Sequence, residues 1–139
     1  MALVVPNEGE LQLLDKMLRA ALSVDEAYIL KLFQNNYTPD ANATSTLFTE
    51  SNFTNYVAMT LSRANWNAST LVSGKAQSSY GANPQTWTCG VTGNVVYGYW
   101  VEGASSGKVL WAERFAVART LAEGDVLNIT PQFTLKSEN

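Results

Sequence analysis

The chain has 139 residues, with 9 Lys plus Arg against 12 Asp plus Glu, so its formal net charge is −3 and its length suits one domain. Hydrophobic residues make up 46% and charged residues 15%, below the roughly 25% charged content of an average soluble domain, so much of the surface must be neutral. The absence of His removes the commonest general base and metal ligand, and a single Cys excludes an intrachain disulfide.

The first predicted element is a helix over residues 8–22. Apolar residues recur there at helical spacing, and Asn7 with Glu10 three residues later has the form of a capping box. We expect the apolar stripe to cover one end or face of a sheet, with docking on a partner as the alternative. The stripe consists of Leu11, Leu14, Leu18, Ala21 and Leu22. Residues 1–7 are expected to form an N-terminal arm that reaches a neighbouring subunit.

From residue 26 to residue 135 the apolar period changes to two, which predicts strands. The predicted strands are 28–33, 56–62, 75–80, 85–89, 95–101, 109–115 and 126–135. Glycine-containing connections at 90–94 and 103–107 favour antiparallel hairpins, and Pro131 predicts a bulge or an edge inside the last strand. A spacing of roughly ten residues is typical of a sandwich or barrel. We therefore predict a single, mainly β domain over 1–139, an antiparallel β-sandwich of jelly-roll type with one N-terminal helix.

Aromatic residues crowd the central strands and form the candidate interface. Strand alternation predicts that Tyr97 and Tyr99 lie on one face of the sheet and Trp100 on the other. Aromatic rows of this kind form a core, a protein interface or a sugar-stacking platform, and the sequence leaves all three open. The candidate interface residues are Trp87, Tyr97, Tyr99, Trp100 and Trp111.

Carboxylates are the only plausible catalytic groups, since a Ser or Cys nucleophile would lack its His. Solvated turns account for Glu102, Glu123 and Asp125 more simply than a pair of catalytic acids does. An inward-facing Glu113 would need a buried partner, Arg63 or Arg119. Cys89 is expected to be a small buried residue beside Trp87. We therefore predict a protein that is not an enzyme, with no catalytic residue, no metal site and no cofactor.

Nucleic acid and membrane are not expected as partners. The nine basic residues are scattered singly, whereas a nucleic-acid binder shows a basic stripe. No stretch approaches the roughly 20 apolar residues that span a bilayer, and the first ten residues lack the features of a signal peptide.

A set of short phrases, spread from Val4 to Leu135, resembles a family of small proteins encoded among the structural genes of tailed bacteriophages. The phrases are VVPNEGELQLL, LKLFQNNYTP, FTESNFTNY, TLSRANW, TWTCG, TGNVVYGYWV, LWAERF and LNITPQFTL. They contain no catalytic signature. The resemblance implies a virion structural protein without catalytic residues.

Among virion components, the resemblance and the scarcity of charge favour a capsid decoration, or cement, protein on the phage head, assembled in the host cytoplasm. Such a protein binds the major capsid protein and acts as a homo-oligomer, for which we expect a trimer. Low charge and high aromatic content suit a surface that becomes buried against other subunits. A tail or fibre subunit and a glycan-binding β-sandwich module are the alternatives.

Overall fold

The computed structural model describes residues 3–18, 26–81 and 84–135 and is mainly β with one helix near the N-terminus. The helix and strands are α1 (Asn7–Leu18), β1 (Tyr28–Phe33), β2 (Met59–Leu61), β3 (Thr70–Val72), β4 (Lys75–Ser79), β5 (Gln85–Thr88), β6 (Val95–Gly103), β7 (Val109–Thr120), β8 (Val126–Ile129) and β9 (Gln132–Leu135). The predicted end of the helix at residue 22 lies outside the described residues.

The strands form three antiparallel sheets in a sandwich-like arrangement. A four-stranded sheet has the order β2-β1-β6-β7, a three-stranded sheet the order β3-β4-β9, and β5 pairs with β8. This confirms the predicted mainly β, antiparallel class with one N-terminal helix. The jelly-roll connectivity remains a prediction.

The four-stranded sheet is buried on both faces. Leu30, Leu32 and Val101 lie on one face and belong to the main core, which β5 and β8 also enter. Phe33 and Trp100 belong to a second cluster on the opposite face, covered by the loop that follows β1. Burial on both faces explains why β1 and β6 have nearly continuous apolar sequences.

Several predicted strands differ from the observed ones. The predicted strand 56–62 shortens to Met59–Leu61, because Val57 is exposed and its carbonyl accepts a hydrogen bond from a side chain. The predicted strand 126–135 is two strands in different sheets, separated at Thr130 and Pro131. Pro131 cannot donate to a ladder, which is why pairing stops there.

One of the two predicted hairpins is present. The 103–107 connection joins the antiparallel pair β6 and β7, as predicted. The 90–94 hairpin prediction is wrong, since β5 pairs with β8 instead of β6. Strand β3 was not predicted, because its three residues are all exposed and show no apolar alternation.

Residues 3–7 are part of the folded domain and do not form a free arm. Val4 exchanges two backbone hydrogen bonds of 2.9 Å with Ala112 of β7. The Asn7 amide donates to the Ala41 carbonyl at 2.8 Å, and the Glu10 amide donates to the Pro6 carbonyl at 3.0 Å. The first helical bond therefore ends on Pro6, so Pro6 holds the N-cap position that we predicted for Asn7.

Gly9 sets how closely α1 approaches β7. A Cβ atom at this position would lie 2.4 Å from the Leu110 carbonyl oxygen and 2.7 Å from that of Val109. Both obstacles are backbone atoms, so neither can move aside at low cost. The glycine therefore allows the helix to lie directly on the strand.

We expect Gly9→Ala to lower the free energy of unfolding by about 1–2 kcal/mol, because the overpacking outweighs the better helix propensity of alanine. Urea denaturation measures this change. Glu10→Ala, at an exposed position in the same turn, is the control and should change stability by less than about 0.5 kcal/mol. An unchanged or higher stability of Gly9→Ala would refute the close packing described above.

Candidate interaction surface

Four of the five candidate interface residues are buried in the core. Trp87, Tyr99, Trp100 and Trp111 are each less than 5% exposed, and only Tyr97 is partly exposed. The Trp100 ring stacks on Phe48 with centroids 4.8 Å apart. The prediction that these five residues form an interface is therefore wrong for four of them, because they fill the space between the sheets and the covering loop.

The predicted face of Tyr97 is also wrong. Tyr97 packs in the cluster that contains Trp100, whereas Tyr99 belongs to the main core. A register shift between Val96 and Gly98 breaks the strict alternation of β6 at this point. The guanidinium of Arg114 lies 5.2 Å from the centroid of the Tyr97 ring and so occupies one of the two ring faces on which a sugar could stack.

Glu102 is a buried carboxylate and not the solvated turn residue that we predicted. It is 7% exposed, and the Trp100 indole Nε1 donates to its Oε2 at 2.7 Å. Lys31 Nζ lies 2.8 Å from Glu102 Oε1 and 3.5 Å from Glu50 Oε2. Tyr56 in turn donates its hydroxyl to Glu50 Oε1 at 2.9 Å. This polar network ties β1 and β6 to the loop beside them.

The electrostatics of this network favour a structural role. Burial alone would lower the pKa of Lys31, but the hydrogen bond and charge of Glu102, and then those of Glu50, raise the pKa above its usual value. Both carboxylates are therefore paired with the same ammonium, an arrangement that joins β1 and β6 to the loop that follows β1. The charged side chains that line the neighbouring cavity of about 210 Å³, Lys31, Glu50 and Glu102, are already paired with each other.

The other carboxylates considered as catalytic groups, Glu113 and Asp125, have different local partners. Glu113 faces the core, where its partner is Tyr99, whose hydroxyl donates to Glu113 Oε2 at 2.8 Å, and not Arg63 or Arg119 as expected for an inward-facing Glu113. Burial, reinforced by this carboxylate, raises the pKa of Tyr99. Asp125 accepts the Ala122 amide within an exposed turn.

Two further predictions, for Glu123 and Cys89, are confirmed. Glu123 lies in the exposed turn that it shares with Asp125. Cys89 is buried in the main core, in the cluster that contains Trp87.

Glu26 is an important charged residue that the sequence did not single out. Its carboxylate accepts the amides of Ser105 and Ser106 at 2.7 and 2.8 Å and the Ser106 hydroxyl at 2.8 Å. Lys16 of α1 lies 3.5 Å away. Glu26 thus fastens the turn between β6 and β7 from a position 79 residues earlier, a distance at which sequence pattern carries no signal.

We expect Glu26→Gln to destabilise the protein by about 2 kcal/mol at pH 7, because hydrogen bonds to a charged acceptor are lost. Burial alone would raise the pKa of Glu26, but the bonds from Ser106 and Ser105 and the charge of Lys16 lower it from 4.5. The stabilisation is therefore complete above the unfolded pKa and is lost as pH falls through the folded pKa. Urea denaturation from pH 7 to pH 3 should show the difference between wild type and variant shrinking below about pH 4.5.

Glu123→Gln removes a carboxylate from an exposed turn and is the control for Glu26→Gln. It should leave stability unchanged across this pH range. A Glu26→Gln variant that is as stable as wild type at pH 7 would contradict the assigned role of Glu26.

The helix α1 turns Leu11 and Leu14 to solvent, opposite to the expectation that its apolar stripe covers a sheet. The side chains of the other three residues of the predicted stripe, Leu18, Ala21 and Leu22, lie outside the described part of the chain. Leu11 is 65% exposed and Leu14 is 50% exposed. They are three residues apart and so lie side by side on one face of the helix. We call Leu11 and Leu14 the leucine stripe.

The leucine stripe faces outward because the opposite side of α1 holds the helix on the protein. Gly9 is buried against the backbone of β7, and Glu8 Oε1 accepts the Val109 amide at 2.8 Å. Helical spacing places Gly9 about 160° from Leu11. An amphipathic helix that is held by its polar side and exposes leucine has the form of a docking helix.

A second apolar feature lies beside α1. A groove of about 270 Å³ is lined by Leu13 of α1, by Phe133 of β9 and by the rings of Trp66 and Trp111, with few polar atoms. On the same face of the three-stranded sheet, Leu71 and Leu135 lie on either side of Ala76 and are 79% and 55% exposed. The chain therefore presents apolar surface on both its helix and its small sheet.

Within residues 3–18, 26–81 and 84–135, no three potential metal-ligating side chains of the His, Cys, Asp or Glu type come together. In the same ranges, no helix is long and apolar enough to cross a membrane.

No known protein-family model matches the chain. No curated protein matches its sequence either.

Proposed function

We propose that the protein is a structural component of a tailed-phage virion, and specifically a capsid decoration protein. It binds the assembled head through the leucine stripe of α1, with the major capsid protein as partner. The observation that supports this most is the exposure of Leu11 and Leu14 on a helix fixed to the body by its other side. The resemblance of the chain to small phage structural proteins supports the same assignment.

The mechanism is mass action. A protein that binds the assembled shell, and not the free subunit, stabilises the shell by its binding free energy. Repetition over many equivalent sites makes the total large even if each contact is weak. A rigid sandwich with scarce surface charge needs no cofactor or chemistry for this task, since burial of neutral surface provides the affinity.

The glycan-binding alternative was based on five aromatic residues that a sugar could stack on. Four of the five are buried in the core, so they are not available to a sugar. A tail or fibre subunit would use the same exposed apolar surface to bind a different part of the particle. A binding experiment with tails as competitor separates the two.

Purified protein mixed with heads of the phage that carries this sequence, stripped of outer proteins, tests the proposal by co-sedimentation. We expect saturable binding at a fixed number of copies per head and a rise in the temperature at which the heads open. Binding to tails alone would overturn the decoration role in favour of the tail alternative. Binding to neither particle would overturn the virion role.

A further inference from the structure

The apolar groove beside α1 is lined by two tryptophans whose N–H groups lack an acceptor. Trp66 and Trp111 meet edge to face there, with ring centroids 5.8 Å apart, and we call them the groove tryptophans. Both Nε1 atoms are buried and have no hydrogen-bond partner within residues 3–18, 26–81 and 84–135, and Trp111 is only 3% exposed. A buried N–H without an acceptor is costly, so most are paired in folded proteins.

The other two of the four tryptophans are paired inside the protein. Trp87 Nε1 donates to the Val57 carbonyl at 2.7 Å, and Trp100 Nε1 donates to Glu102 Oε2 at 2.7 Å. Neither of these two rings lines the groove. Unpaired indole groups therefore coincide with the groove, which indicates that an occupant of the groove supplies the acceptors.

The rest of the groove lining adds apolar surface and further donors. Of the described residues that line it, none carries a carboxylate or an amide side chain. The Arg63 guanidinium can only donate, and the Ser78 hydroxyl already donates to the Asn67 carbonyl at 2.8 Å. Phe133 packs on Trp111 with ring centroids 5.0 Å apart. An occupant that suits this lining is apolar and offers acceptors more than donors.

The groove continues as an apolar track along one face of the three-stranded sheet, through Phe133, Leu135 and Leu71. Phe133 and Leu135 are two residues apart on β9, and Leu71 lies on the same face two strands away. Leu135 is 55% exposed and Leu71 is 79% exposed. At about 3.3 Å per residue and about 4.8 Å per strand spacing, the track is about 12 Å long. Such a track suits an extended chain better than a compact ligand.

We propose that the groove and the apolar track bind an extended, proline-rich segment of a partner protein. Proline has no N–H, so such a segment offers carbonyl acceptors and apolar rings without backbone donors, which complements the lining. The polyproline II helix is extended before it binds and rises about 3.1 Å per residue, so about four residues cover the track. Grooves lined by aromatic rings bind such segments in other proteins. Both indole nitrogens are buried in the unbound chain, so the two rings move apart as the carbonyls reach them.

This inference does not rest on the proposed function, because it can be tested on the isolated full chain. The probe is a ten-residue proline peptide with capped ends, and the readout is the NMR signals of the four indole N–H groups. We expect the signals of the groove tryptophans to move to higher proton frequency and to saturate, because their protons gain acceptors. The signals of Trp87 and Trp100 should stay in place, since both groups are already bonded. A ten-residue Gly-Ser peptide is the control and should move none of the four.

Trp66→Phe keeps an aromatic ring and removes one donor, so the dissociation constant of the proline peptide should rise about threefold to tenfold. Trp87→Phe makes the same change outside the groove and is the matched control. It should leave the dissociation constant unchanged, after urea denaturation has shown that the variant is folded. Leu71→Asp places a charge at the exposed end of the apolar track and should weaken binding about threefold or more.

Four results would overturn the proposal. The first is the absence of any shift in the two groove signals at millimolar peptide, and the second is a Trp66→Phe variant that binds the peptide as tightly as wild type. The third is that ethyl benzoate, a compact ester with a carbonyl acceptor, moves the two signals while the peptide does not, which assigns the groove to a small ligand. The fourth is that dilution of the protein alone moves them, which assigns the groove to a second copy of the chain.

Discussion

We expect replacement of both Leu11 and Leu14 by lysine to weaken binding to phage heads at least about tenfold. Full burial of a leucine side chain contributes about 1.5–3 kcal/mol, so burial of the 65% and 50% of these two side chains that are exposed contributes about 2–3 kcal/mol, and every 1.4 kcal/mol is tenfold in affinity. The fold should persist, because both side chains are at least half exposed and lysine forms helices about as well as leucine. Co-sedimentation with heads, after urea denaturation has confirmed unchanged stability, measures the effect.

Leu47→Lys is the matched control for this variant. Leu47 is 45% exposed and lies in the loop after β1 instead of on α1. Head binding of Leu47→Lys should equal that of wild type. If Leu47→Lys weakens head binding as much as the double variant does, the loss comes from added surface charge and not from the leucine stripe. If the double variant binds normally, α1 is not the docking element.

The largest expected effect on stability comes from Lys31→Met. This change keeps most of the side-chain volume and removes the ammonium that lies 2.8 Å from the buried Glu102 carboxylate. Removal of one partner of a buried ion pair costs about 3–5 kcal/mol, and the 22% exposure of the Lys31 side chain reduces this to about 3 kcal/mol. Urea denaturation at pH 7 measures the loss.

Combination with Glu102→Gln identifies the cause of that loss. A neutral amide no longer needs the ammonium, so the double variant should regain about half of the lost stability or more. Equal losses in single and double variants would assign the effect to packing instead of charge.

The sequence predicted well those elements whose own pattern determines them. Strands β1 and β6 have apolar residues at nearly every position, which is typical of strands buried on both faces, and they were found within two residues of their predicted bounds. Strand β7 begins at residue 109 as predicted but continues to residue 120 instead of ending at 115, and its second half is largely exposed. Strand β3 has three exposed residues, and its pairing with β4 depends on a turn at Ser73 and Gly74 with positive φ angles. Such a strand has no apolar pattern to detect.

The candidate site was harder to predict, because it depends on contacts between distant residues. Helical periodicity predicted α1, but it could not show that the close approach allowed by Gly9 turns the leucines away from the sheet. The burial of Glu102 depends on Lys31, which lies 71 positions earlier in the chain. Tyr97 lies on the opposite face of the sheet from the one predicted, because β6 is irregular at that point. Strand alternation is informative only in a regular strand.

The central claim is that the protein decorates phage heads through the leucine stripe, and cryo-electron microscopy of intact particles tests it most directly. We predict density for the sandwich domain in many symmetry-related copies on the outer surface of the head, with Leu11 and Leu14 against the major capsid protein. Density found only at the neck or tail, or copies on the head whose α1 faces solvent, would contradict the account.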